Sequence, residues 1–263
     1  MKKRDSKASP PVLQSSSLQV IFLGTNGWYD TETGDTVSTL VKCREFDLIL
    51  DAGSGLAKLD KYCDFKKPVY LFLSHLHLDH ITGLHTLAKF NFKKGLKIIV
   101  SGVYKKELER FLAKPYTVPL KGLPYKAGFA WLPGKERFPF GVETLPLKHT
   151  DPVSGFRFRI EGKTLSYVTD TGYCPNALKL ARGADLLITE CSYRKGEKND
   201  GWPHFNPETA ARLAKEAGAH KLVLTHFAAD KYRGKKDRKR ALETARRIFP
   251  AVKAAEDGLS VKI

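Results

Sequence analysis

Short apolar runs recur along the chain, and almost every one hands over to a glycine-rich turn or a polar residue. Leu18-Gln19-Val20-Ile21-Phe22-Leu23 is the first and is closed by Gly24-Thr25-Asn26-Gly27. That glycine pair lacks the continuation of a phosphate-binding loop and reads as a plain turn. Thr36 to Val41 and Phe46 to Leu50 follow, separated by Lys42-Cys43-Arg44-Glu45. They predict a meander of antiparallel strands. The meander ends at Asp51-Ala52-Gly53-Ser54-Gly55, a turn into a short helix carrying Leu56, Leu59 and Tyr62. Asp51 is most simply a turn or helix-capping residue there, with support of a neighbouring site as the second reading. Val69 to Leu73 reads as a buried strand.

Beyond it the period changes back and forth. Ile81 to Phe90 has helical spacing, Ile98 to Val100 is strand-like, and Tyr104 to Leu112 is a basic amphipathic helix. Residues 114–141 are rich in proline, glycine and aromatics, a composition that suits a lid or an ordinary long loop. Phe129, Trp131, Phe138 and Phe140 could stack bases, contact a ring substrate or pin the segment to the core, and pinning is the preferred reading. Val142 to Leu147, Gly155 to Ile160, Leu165 to Val168, Asp185 to Thr189 and Lys221 to Leu224 are further strands. They deliver His149, Asp170, Glu190 and His226, and open α/β sheets place their chemistry at such carboxyl ends. Between them, Asn206 caps a helix with Pro207 in its first turn and Ala210, Leu213, Ala214 and Ala217 on one face. The alternation predicts an α/β protein.

Composition narrows this. A length of 263 residues suits one α/β domain with a substantial core. Residues 1–17 are basic, Ser/Pro-rich and aperiodic, so a disordered tail is expected there, followed by a single domain over 18–263. No run reaches the ~18 apolar residues of a membrane span, which points to a soluble protein. Cys43, Cys63, Cys174 and Cys191 show no CxxC spacing, arguing against a cysteine zinc knuckle or a disulfide framework and for reduced thiols in the cytoplasm. The net charge of +17 is the outlier. It favours polyanionic or phosphorylated partners and serves solubility equally well. Lys235, Lys236, Arg238, Lys239 and Arg240 concentrate that charge at one helix start, either as a solvated face or as a phosphate-contacting patch.

The chemistry concentrates in Ser74-His75-Leu76-His77-Leu78-Asp79-His80-Ile81-Thr82-Gly83. Alternation on an extended segment aims His75 and His77 to one side, and the following turn can bring Asp79 and His80 beside them. Nitrogen and oxygen donors at this density suit zinc or another first-row metal. His85 is expected to be a surface or supporting histidine rather than a ligand.

The HLHLDHITG run, with His149, Asp170 and His226 at strand ends, resembles the metallo-β-lactamase superfamily over nearly the whole chain after the tail. The resemblance implies an αββα sandwich of two mixed β-sheets flanked by helices, with a dinuclear metal centre. By motif matching, one ion would take His75, His77 and His149, and the other Asp79, His80 and His226, with Asp170 bridging. The ions implied are two Zn2+, with Mn2+ or Fe2+ as alternatives. The opening FLGTNGWYDTETGDTVSTLV, the ITECSY strand end and the closing PHFNPETAARLAKEAGAHKLVLTHF are similar to ribonuclease Z, the tRNA 3′-processing endonuclease. That likeness implies a phosphodiesterase acting on RNA or small phosphodiesters through a metal-bridging hydroxide, and a homodimer. Asp79 would ligate and orient the nucleophile, His204 would assist the leaving oxygen, and Glu190 would orient His204.

One departure matters. The bacterial tRNA enzymes insert a flexible arm between the third and fourth motifs, whereas only 21 positions separate His149 from Asp170 here. A small-molecule phosphodiesterase of the cyclic-nucleotide type therefore stays as an alternative, its signature partly matched and failing at His85. A hydrolase of carboxyl esters or lactams, with promiscuous β-lactamase activity, is another. A nucleic-acid-binding protein with a vestigial site is the non-enzymatic one, and the intact ligand positions argue against it.

Overall fold

The computed structural model describes residues 18–263, so the tail expected over 1–17 lies outside the described residues. Two mixed sheets form the centre. The first, seven-stranded, runs in the order Ser260–Lys262, Gln19–Gly24, Ser38–Lys42, Asp47–Leu50, Val69–Phe72, Leu96–Ser101, Ala127–Leu132. Its early strands pair antiparallel, as the meander pattern predicts, and those from Asp47–Leu50 onward pair parallel. The second, six-stranded, runs Val252–Ala254, Leu222–Thr225, Leu186–Glu190, Lys163–Val168, Val153–Ile160, Gly141–Leu147.

Both sheets are covered on both faces, which is why their strands read as nearly continuous apolar runs. In Gln19–Gly24, Val20 and Phe22 point into the layer between the sheets, while Ile21 and Leu23 point to the opposite face. The inter-sheet layer also takes Phe72 and Ile99 from one sheet and Phe156, Phe158, Leu165 and Ile188 from the other. Outside the first sheet lie the helical segments Ser54–Lys61, Thr82–Lys89 and Lys105–Phe111, supplying Leu56, Leu84 and Leu108. Outside the second lie Pro175–Ala181, Pro207–Glu216 and Lys235–Arg246. They contribute Leu180, Leu213 and Ala245. The result is an αββα sandwich.

Asn206 caps Pro207–Glu216, its side chain accepting from Thr209 N at 2.8 Å. The Ile81 to Phe90 segment is tighter than its spacing suggests. A four-residue α-turn, Leu78–Ile81, continues as a 3₁₀ helix over Thr82–Lys89. Residues 114–141 contain the strand Ala127–Leu132, which the aromatic and glycine content obscured. Phe138 and Phe140 pack on Phe72 in the inter-sheet layer, and Phe129 stacks on Trp131. These rings pin the segment; none of them lines the cavity described below. The three-residue strands near the carboxyl terminus, Val252–Ala254 and Ser260–Lys262, give no sequence signal. They are edge strands with lysines facing solvent, too short to show a period. Among the described residues no helix is long and apolar enough to cross a membrane.

Candidate metal centre

Strand ends assemble the site. Val69–Phe72 runs into His75, Lys163–Val168 into Asp170, Leu222–Thr225 into His226, and Gly141–Leu147 into His149, while Asp79 and His80 sit on the Leu78–Ile81 turn. Asp170 and His226 both have positive φ, +43° and +53°. A non-glycine residue there costs about 1–3 kcal/mol and persists only where surrounding contacts fix it.

Two groupings result. Donor atoms of His75, His77, His149 and Asp170 lie within 4.8 Å of one another, and so do those of Asp79, His80 and His226. Asp170 faces both. Its Oδ2 is 3.9 Å from His75 Nε2, while its Oδ1 is 3.3 Å from both His80 Nε2 and His226 Nε2. In the second grouping His80 Nε2 and His226 Nε2 are 3.1 Å apart, and His226 Nε2 is 3.1 Å from Asp79 Oδ2. Edges of a tetrahedron around zinc with nitrogen ligands are about 3.3 Å. These separations suit donors around a common cation.

The outer hydrogen bonds choose which nitrogen faces inward. His75 Nδ1 donates to Ser74 Oγ (3.0 Å), whose own proton goes to Asp51 Oδ2 (2.9 Å). His80 Nδ1 donates to Asp51 Oδ2 (2.8 Å), His149 Nδ1 to Pro203 O (3.4 Å), and His77 Nε2 to Asp151 Oδ2 (2.9 Å). Ser192 Oγ donates to Glu190 Oε2 (2.5 Å), so His226 Nδ1 donates to Ser192 Oγ (2.9 Å). Each imidazole thus spends one N–H outward and keeps one lone pair for the cluster, an arrangement that fixes the tautomers of metal-ligating histidines. His75 Nε2 and His149 Nε2 are buried without a hydrogen-bond partner among the described residues. A buried unpaired nitrogen is costly, and a cation relieves that cost.

Electrostatics separates the groupings. Burial, with His80 nearby, holds the His75 pKa well below the ordinary histidine value, and burial likewise lowers His149. Both shifts favour the neutral imidazole, the form that binds a metal. His80 and His226 are raised despite burial, chiefly by Asp170, with Asp51 and Asp79 adding to it at His80 and Asp79 at His226. Asp79 and Asp170 are held below the usual carboxylate range against their own desolvation by those same histidines. Positive charge is strongly favoured between these two carboxylates.

Asp51 is no mere turn residue. It is fully buried at φ +56° and accepts from Ser74 N (2.7 Å), Ser74 Oγ, His80 Nδ1 and Tyr167 OH (2.7 Å). It thereby braces both groupings. The glycine turn is likewise more than a turn. Asn26–Gly27 pairs in parallel with Phe227–Ala228, and a Cβ on Gly27 would stand 2.4 Å from the His226 ring. The next residue, Trp28, at φ +77°, donates its N–H to Asp79 Oδ2 at 2.7 Å. Arg238 departs from the solvated or phosphate-contacting role expected of its basic run. It is buried, donates to Thr25 Oγ1 (2.8 Å) and Ala255 O (3.0 Å), and lies 4.8 Å from the centroid of the Phe227 ring. Here it anchors the glycine turn. His85 is exposed and bonds its own helix at Thr82 O, away from the cluster.

His204 stands beside the cluster, its ring 4.9 Å from His149 and 5.9 Å from His226. Its Nδ1 donates to both oxygens of buried Glu190 at 2.8 Å. Burial alone would depress its pKa, but Glu190 raises it to about 9. His204 also falls within 4.8 Å of donors on Asp170 and His226. With Nδ1 committed to Glu190, only Nε2 can face the cluster, where it can serve as a proton donor or as a further ligand. A cavity of about 770 Å³ opens over the cluster, lined by His77, Asp79, Asp170, His204 and His226 among others.

Paired mixed sheets with helices outside, and a histidine–aspartate cluster where the strands end, are the marks of the metallo-β-lactamase fold. Residues 47–227 match the family model described as the beta-lactamase superfamily domain, and the chain belongs to the metallo-β-lactamase superfamily. It is similar to the probable metallo-hydrolase YhfI of Bacillus subtilis, 30% identical over 219 residues that cover 80% of this chain and 87% of YhfI. Ribonuclease Z of Phocaeicola vulgatus is 26% identical over 304 residues, covering 93% of this chain and 97% of that protein. The crystal structure of YhfI shares the fold with a TM-score of 0.79 at 24% identity, covering 94% of this chain and 99% of that one. Human tRNase Z, short form, shares it with a TM-score of 0.73 at 23% identity, covering 92% and 98%.

Proposed function

We propose that the protein is a metal-dependent phosphodiesterase of the ribonuclease Z kind, cleaving RNA with a pair of zinc ions, or with Mn2+ or Fe2+ in their place. The observation that carries this reading is the division of labour around Asp170. Two sets of donors face one carboxylate, and a separate histidine paired with Glu190 stands beside them. His75, His77 and His149 would hold one ion, Asp79, His80 and His226 the other, and Asp170 both. When bound, such ions supply Lewis-acid stabilisation of anionic oxygen and make water nucleophilic at neutral pH.

The remaining work falls to side chains. Hydrolysis joins a water oxygen to phosphorus and breaks one P–O ester bond. Asp79, which lines the cavity, orients that water as it loses its proton. A ribose oxygen leaves poorly as an alkoxide, so it needs a proton as the bond breaks. His204 holds one. With Nδ1 committed to Glu190, its other nitrogen is free for the leaving oxygen, and a pKa of about 9 keeps it protonated at neutral pH. Glu190 is fixed in turn by Thr171 N and Ser192 Oγ, each at 2.5 Å. The +17 charge favours encounter with a polyanion. The free cysteines suit a reducing compartment such as the cytoplasm.

A smaller phosphodiester is the second reading, and one observation favours it. Between His149 and Asp170 there is only the hairpin of Val153–Ile160 and Lys163–Val168, closed by Glu161-Gly162, with no clamping arm. The test is cleavage of a pre-tRNA bearing a 3′ trailer beside bis(p-nitrophenyl) phosphate, by wild type and Asp79→Ala, with metal content measured in both. Cutting of both substrates, lost in the variant, supports the RNA enzyme. Cutting of the small diester alone moves the assignment to small phosphodiesters, and turnover of neither by metal-loaded protein overturns it.

A further inference from the structure

Two exposed tryptophans line the cavity. Trp28 is 67% exposed and Trp202 46%. Neither indole N–H has a hydrogen-bond partner among the described residues. Among the described residues the only ring against Trp28 is Tyr29, edge-on at 5.2 Å. A solvent-facing indole gives up burial that would stabilise the fold, and Trp28 does so on a left-handed backbone that bulky residues rarely adopt. Its position is nonetheless fixed by its N–H on Asp79 and by Gly27 against His226. Trp202 stands at the other grouping. Its ring is parallel to His77 (7°, centroids 5.8 Å), 5.4 Å from His149 and 6.4 Å from His204. Its backbone is tied down by Tyr193 OH on its carbonyl at 2.5 Å.

The indoles therefore mark two different sides of the reacting centre, one beside Asp79 and one beside the proton donor. A nucleic-acid phosphodiester also has two sides, with one nucleoside whose oxygen leaves and one that keeps the phosphate. We propose that each indole is a stacking platform for a nucleobase. Trp202, next to His204, takes the base of the leaving nucleoside, and Trp28, next to Asp79, takes the base of the nucleoside that retains the phosphate. This rests on the phosphodiesterase reading and deepens it. Aromatic platforms accept any base, because every base has a π-face, but they need that base unpaired. The substrate class is thus an RNA whose nucleotides flanking the cut are single-stranded, selected with little regard to sequence.

The experiment uses metal-loaded protein and short single-stranded RNAs carrying one abasic ribose, either on the leaving side of the cut or on the phosphate-retaining side. Loss of one stacked base is expected to lower kcat/KM about tenfold or more, mostly through KM. Trp202→Ala should show the same loss on intact RNA and no further loss on RNA abasic at the leaving side. Trp28→Ala should do so only for the other side, and Trp202→Phe and Trp28→Phe should recover most of the activity. Losses that simply multiply, or the reverse pairing of indole with side, overturn the proposal. A second readout is independent of turnover. Adenosine 5′-monophosphate should quench tryptophan fluorescence in wild type but not in the double alanine variant, where Trp131 remains. Ribose 5-phosphate, with the same phosphate and no base, should quench far less. Equal quenching by both compounds rejects stacking even if RNA is cut, whereas RNA left uncut beside clear base-dependent quenching would indict the phosphodiesterase reading instead.

Discussion

The two halves of the centre use the same kinds of side chain and are prepared in opposite ways. Around His75 and His149 burial dominates. It favours the neutral imidazoles, and their inward nitrogens have no hydrogen-bond partner among the described residues. Around Asp79, His80 and His226 charge dominates, with two carboxylates within 3.1–3.7 Å of histidine nitrogens and every member braced from outside. Both halves present lone pairs, and the second adds a field of charge. Asp170 faces both, Oδ2 toward His75 and Oδ1 toward His80 and His226.

Replacing Asp170 should therefore break the comparison outright. Asp170→Asn keeps the shape but removes the shared charge. Turnover of bis(p-nitrophenyl) phosphate is expected to fall about 10³-fold or more, the rate equivalent of several kcal/mol. Metal content by plasma mass spectrometry should drop as well. Next in size, His204→Ala is expected to lower kcat about 10²–10⁴-fold on RNA, whose leaving oxygen needs a proton. It should do much less to bis(p-nitrophenyl) phosphate, whose leaving group departs unprotonated, with metal content unchanged. A matching loss of metal would instead place His204 among the ligands.

Asp51→Asn tests the bracing of the charged half from outside it. Loss of such a partner typically weakens metal binding about 10–100-fold, which competition against a chromogenic chelator would read. The smallest effect expected is on pH. Glu190 raises the His204 pKa to about 9, so His204 keeps its proton up to that pH, and kcat on RNA should fall as pH rises through it. In Glu190→Gln the raising charge is gone, and the alkaline fall should begin at lower pH. A limb that does not move would separate Glu190 from the acid.

How much of this was legible in the chain depended on distance along it. His75, His77, Asp79 and His80 crowd into six residues, so local density alone exposed them, and the strands showed as apolar runs because both faces are buried. Asp51 was harder. Its partners Ser74, His80 and Tyr167 lie 23, 29 and 116 residues away, and locally it sits where turn and cap residues sit. Ser192 and Asp151 are single polar residues whose importance comes only from His226 and His77 arriving beside them. Gly27 reads as part of a plain turn, but the fold uses its missing side chain to admit an imidazole. Arg238 was concealed by its charged neighbours, since no pattern in a basic run says which member turns inward.

Calorimetric titration of metal-stripped protein with zinc, with phosphodiester cleavage followed at each addition, addresses the paired halves most directly. Two ions per chain are expected, with cleavage appearing as the second is bound and Asp170→Asn losing both. Full activity with one ion per chain would contradict a centre built around a shared carboxylate.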